Sequence, residues 1–120
     1  MVVSAHFDVS VHRRADGVDV ELAGELDAAA VFTLEPVLED IAIEADTREL
    51  VFDLRKVTFI DSAGLAVLVA TQERLEARDV RTFFIRPQAS VMRVFEVTGL
   101  DTAFAFRSPE EPGADRGQSP

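Results

Sequence analysis

The chain contains no cysteine. Disulfides and thiolate metal sites are therefore excluded, and a reducing compartment is permitted. Tryptophan and tyrosine are missing as well, so any binding platform has to use phenylalanine or aliphatic side chains. Basic residues are scarce: twelve stand against twenty-two acidic ones, for a net charge of −10. That balance repels phosphate backbones and no basic run offsets it, so no nucleic-acid partner is expected. Long apolar runs are also absent. The longest beside a helix, Leu65-Ala66-Val67-Leu68-Val69-Ala70, is far short of the roughly 20 residues needed to span a bilayer, and Met1 to His6 lacks the charged leader and apolar block of a signal peptide. No membrane association is expected. What is present is 48% hydrophobic residues in 120, enough for one domain with a real core. From Ser108, Pro109, Pro112, Gly113, Gly117 and Pro120 among polar neighbours mark a disordered tail over 108–120, leaving 1–107 as the domain.

Within the domain, Phe7, Val9 and Val11 alternate with polar residues, and after a turn at Asp16-Gly17 a second alternation runs through Val18, Val20 and Leu22. This predicts a β-hairpin. Leu34, Val37, Leu38, Ile41 and Ala45 then recur at helical spacing. Because proline fits only a first helical turn, Pro36 places the cap of this helix at Thr33, after a loop from Ala28 to Phe32. Leu50 to Leu54 has too few polar positions for a one-sided strand and predicts a central strand covered on both faces. A helix from Ala63 to about Arg78 and a strand at Thr82-Phe83-Phe84-Ile85 complete a right-handed βαβ unit. A third helix from Ala89 to Thr98 buries Val91, Val94 and Phe95 and ends at Gly99 in a left-handed cap. Phe104 and Phe106 alternate in a last short strand. The order predicts an α/β single domain with a mixed, mostly parallel β-sheet and helices packed on it.

The segment Asp61-Ser62-Ala63-Gly64-Leu65 sets a small hydroxyl between the strand-like run and the second helix. Near a helix N-terminus Ser62 can cap free backbone N–H groups, and a phosphate there would meet the positive end of the helix dipole. Catalysis by Ser62 is not expected. A hydrolase elbow needs glycine where Ile60 stands, and His6 and His12 both precede the serine. Those histidines have no metal-ligand spacing. Asp27, Asp53 and Asp61 are the acids nearest the site, with Arg86 the one candidate basic partner, too few converging oxygens to specify a hard cation. No metal or catalytic residue is predicted. Gly24 and Gly64 allow tight turning or close packing and form no nucleotide-binding pattern, so no cofactor is predicted.

Three segments, Gly24-Glu25-Leu26-Asp27, Phe52-Asp53-Leu54 through Leu65, and Val91-Met92-Arg93-Val94-Phe95-Glu96-Val97-Thr98-Gly99-Leu100, occur in an order and at separations by which the chain from Val20 to Phe104 resembles the STAS domain. The likeness is greatest to the free-standing anti-sigma-factor antagonists of bacteria. The resemblance implies a cytoplasmic, non-enzymatic protein of a partner-switching pathway. Its partner would be an anti-sigma factor that is itself a serine kinase and phosphorylates Ser62; a PPM-type serine phosphatase would reverse the step. The docking face it implies is Gly24, Asp27, Asp61, Ser62, Ala63, Gly64 and Leu65, with Thr58 the nearest competing acceptor. Two departures stand out: Ala77-Arg78-Asp79 lacks a glycine that many relatives carry, and Ala28-Ala29-Ala30 replaces a more polar stretch beside the Ser62 loop. The rival implication is a STAS subunit of a transport or signalling complex that binds a protein without a phosphorylation cycle.

Overall fold

The first strands follow directly from the alternation of Phe7 and Val9 with polar residues. In the computed structural model, which describes residues 2–3, 6–42 and 47–108, β1 (Val2–Val3), β2 (Phe7–Arg13) and β3 (Gly17–Leu26) are antiparallel neighbours, with β2 and β3 in register from Phe7 opposite Gly24 to Arg13 opposite Val18. β4 (Glu49–Ile60), β5 (Arg81–Ile85) and β6 (Phe106–Arg107) then add in parallel, one beside the next. The six-stranded sheet thus runs in chain order, two antiparallel pairings followed by three parallel ones.

The helices are α1 (Ala28–Ala42), α2 (Ser62–Glu76) and α3 (Ala89–Val97). The start of α1 departs from the expectation of a Thr33 cap. Asp27 outcompetes Thr33 because its Oδ1 accepts from the Ala30 N–H at 2.9 Å while its carbonyl accepts from Val31. Pro36 therefore lies inside the helix, on its exposed side. Its missing N–H forfeits the bond to the Phe32 carbonyl at the solvent surface, where water can substitute.

β4 is more than twice as long as the Leu50–Leu54 core strand read from sequence, and its two faces differ. Leu50, Phe52 and Leu54 join one apolar cluster with Leu34, Leu38 and Ile41 of α1, Leu68 and Leu75 of α2 and Phe95 of α3. Val51 is buried but lies outside that cluster. Its face carries charge instead of a helix: Arg14 pairs with Asp19 at 3.0 Å and Glu49 at 3.6 Å, Arg81 approaches Glu49 at 3.8 Å, and the Arg107 guanidinium lies 3.3 Å over the Phe83 ring. The expected strand covered on both faces is thus met over Leu50 to Leu54, with arginine side chains rather than a helix on the second face. Long arginine stems cover apolar surface as well as a helix would.

Asp79 takes φ 62° in the turn after α2, the left-handed conformation for which glycine is otherwise favoured. Gly99 ends α3 at φ 78°, its N–H donating to the Glu96 carbonyl. Phe104 falls outside β6 yet is buried, 4.6 Å from Phe84 and 5.5 Å from Phe95 between ring centroids, so the aromatic pattern marks packing there and not a strand. Among the described residues no helix is long and apolar enough to cross a membrane. Ser108 is described and half-buried; the remainder of the expected tail lies outside the described residues.

Candidate functional site at the start of α2

Parallel pairing brings β3 and β4 to a common end, Leu26 opposite Ile60. The next residue in each chain segment is an aspartate, and each caps the helix that follows. Asp27 caps α1; Asp61, in extended backbone at φ −115°, accepts the Gly64 N–H on Oδ1 at 3.0 Å and the Leu65 N–H on its carbonyl at 2.9 Å. The two caps are tied together because the Asp61 N–H donates to the Leu26 carbonyl at 3.4 Å.

Ser62 is consequently the first helical residue and not the cap. It is exposed, its hydroxyl is not called on to close the helix end, and it sits where the dipole of α2 favours negative charge. Gly64 explains how the first turn of α2 comes so close to the end of β3: a Cβ there would sit 2.2 Å from the Leu26 carbonyl oxygen. Gly24 acts further down. At φ 97° it lets the Glu25 N–H reach the His6 carbonyl, and a Cβ would stand 2.2 Å from that oxygen, so its part is to seat the hairpin end.

Of the other residues expected at the face, Ala63 is half-buried. Leu65 is only 6% exposed and belongs chiefly to the core. The exposed apolar contact lies instead along α2, where Ser62, Ala66, Val69 and Ala70 line an open groove of about 470 Å³ with Leu65, Glu73 and Leu100. Small residues at Ser62, Ala66 and Ala70, four apart, were the available signal for it. Leu100 arrives from beyond α3, and no local pattern announces that.

Asp53 is not part of the site. Seven residues before Ile60 on β4, roughly 23 Å along the strand, it holds Arg55 at 2.7 and 3.0 Å on the helix-free face. Burial pushes its carboxyl up, but the hydrogen bonds from the Arg55 side chain and backbone, with the charges of Arg55 and Lys56, outweigh this and leave it below the ordinary aspartate range. Arg86 follows β5, whose last pairing on β4 is Ile85 opposite Asp53, and its guanidinium lies over the Phe106 ring at 5.5 Å. Neither residue reaches Ser62, and among the described residues no three His, Cys, Asp or Glu side chains gather as a metal site. Thr58 is exposed but lies within β4, away from any helix start.

The STAS domain family model matches residues 6–111, nearly the whole of the described chain. The chain belongs to the STAS domain family. This STAS domain is 34% identical over 82 residues to the anti-sigma-B factor antagonist of Staphylococcus aureus, covering 68% of the chain and 75% of that relative. It is 27% identical over 111 residues to the anti-sigma F factor antagonist of Lysinibacillus sphaericus, covering 92% and 93%. A crystal structure of an anti-sigma factor antagonist from Mycobacterium paratuberculosis matches with a TM-score of 0.80 at 25% identity, over 98% of this chain and 97% of that one. The α/β fold with a mixed, mostly parallel sheet, expected from the sequence, is the STAS fold observed.

Proposed function

We propose that this STAS domain is an anti-sigma-factor antagonist that binds an anti-sigma serine kinase through the start of α2 and is switched off when that kinase phosphorylates Ser62, a PPM-type phosphatase restoring the active form. The observation that carries the reading is the division of labour at the helix start: Asp61 supplies the cap, which leaves an exposed Ser62 hydroxyl free for modification at no structural cost. The named relatives support the class of partner. The role is one of binding, in the cytoplasm, with no catalytic group or cofactor of its own.

A phosphate on Ser62 adds about −1.5 to −2 charges beside Asp61. The dipole of α2 offsets about 0.3 to 1 kcal/mol of the local repulsion, so the fold survives. The interface does not. One like-charge contact at 4 Å with an acidic group of the partner costs about 1 kcal/mol in water and about 4 kcal/mol at an effective dielectric of 20, equivalent to roughly fivefold to several-hundredfold weaker binding. Incubation with ATP and the serine-kinase anti-sigma factor encoded in the same genome, followed by mass spectrometry, should place a single phosphate on Ser62. Thr58 modified with Ser62 bare would overturn the assignment.

A further inference from the structure

Phe32 is 81% exposed, although most of the other eight phenylalanines are packed in the interior or on the sheet. It sits on α1 about 6 Å along the axis from Ala28, in the first turns after the Asp27 cap. Ala28, Phe32 and Pro36, four residues apart, form an apolar stripe on the outward side of that helix, with Ala29 exposed beside it. Pro36 carries no N–H, so the Phe32 carbonyl lacks its usual helical donor and can accept from outside. Glu35, Glu39 and Asp40 are exposed around the lower end of the stripe.

We infer that this stripe is a second anchor for the protein that docks at Ser62, and that this partner presents an apolar pocket for Phe32 with a basic rim. The inference rests on the docking reading above. Two observations commit it to that occupant. The stripe begins at Ala28, directly after Asp27, and the Leu26 carbonyl just before them holds the Asp61 N–H, so α1 and α2 start side by side. The acids Glu35, Glu39 and Asp40 around the stripe call for basic groups on the partner at that rim and set a second copy of this chain, acid against acid, at a disadvantage. A rigid aromatic side chain amid small neighbours is also the kind of residue on which binding energy concentrates.

The test titrates full-length wild type, Phe32→Ala, Glu35→Lys and Ser62→Asp against the serine-kinase anti-sigma factor of the same genome, with a thermal melt and sedimentation of each. Phe32→Ala should weaken binding tenfold or more with an unchanged melt, and Glu35→Lys should slow association and flatten its salt dependence. If Phe32→Ala binds within twofold of wild type while Ser62→Asp has lost affinity, the second anchor is wrong and the Ser62 docking stands. If both variants bind as wild type does, the docking reading itself fails and takes the anchor with it. A wild-type dimer that Phe32→Ala dissociates, at unchanged kinase affinity, would assign the stripe to a second copy and also overturn the inference.

Discussion

Ser62 owes its freedom to Asp61. Because the carboxylate already holds the Gly64 N–H, Ser62→Ala should change stability by less than about 0.5 kcal/mol, as an exposed substitution away from a cap does. Asp61→Ala should cost about 0.5 to 2 kcal/mol, the usual loss for a cap; denaturant titration of the two variants separates these roles. Gly64→Ala meets the Leu26 carbonyl, and the forced shift should cost about 1 to 3 kcal/mol while moving the first turn of α2 away from the end of β3. Asp53 contributes a pH dependence of its own. Since its folded value lies below the unfolded one, its contribution is present above about pH 3.9 and is lost as pH falls through the lower folded value. The stability gap between wild type and Asp53→Asn should therefore narrow in acid, which melts at pH 7 and pH 3 will show. The Asp-Ser pair was legible in sequence as a helix start. Which of the two residues caps was not, because both are favoured there. Leu65 sits chiefly in the core yet lines the groove beside Ser62, because the first turns of a helix packed on the sheet face both core and rim.

At the scale of elements, α2 and the hairpin could be read from periodicity alone, since nothing in Phe7 to Leu22 or Leu65 to Leu75 opposes it. α1 could not. Pro36 argued for a late start, but Asp27 begins the helix at Ala28 and the exposed side of α1 absorbs the lost hydrogen bond. Pro36→Ala should then stabilise the protein, by up to about 3 kcal/mol if the full cost of an interior proline is recovered; an unchanged or lowered melting temperature would show that the backbone of α1 has adapted to the ring. β4 was underestimated because Asp53, Arg55 and Lys56 interrupt the apolar run, yet on the helix-free face those charges are met by Arg55, Asp53 and Glu21 in turn. The cover of that face by Arg14, Arg81 and Arg107 depends on residues far apart in the chain, which no local pattern links.

For the molecule as a whole, the STAS architecture aligns the ends of β3 and β4, starts two helices side by side, and leaves the Ser62 hydroxyl exposed directly after the Asp61 cap. Added negative charge at that point then weakens docking wherever it faces an acidic group of the partner, without threatening the fold. Fold and switch are separable by design of the caps, so stability and affinity should respond independently at position 62. The most direct test is to titrate wild type, Ser62→Ala and Ser62→Asp against the anti-sigma kinase under conditions where all three are folded by thermal melt. Ser62→Ala should bind as wild type does, and Ser62→Asp should bind at least fivefold more weakly, the lower bound set by one like-charge contact in water. Equal affinity for all three, with melts unchanged, would contradict the account.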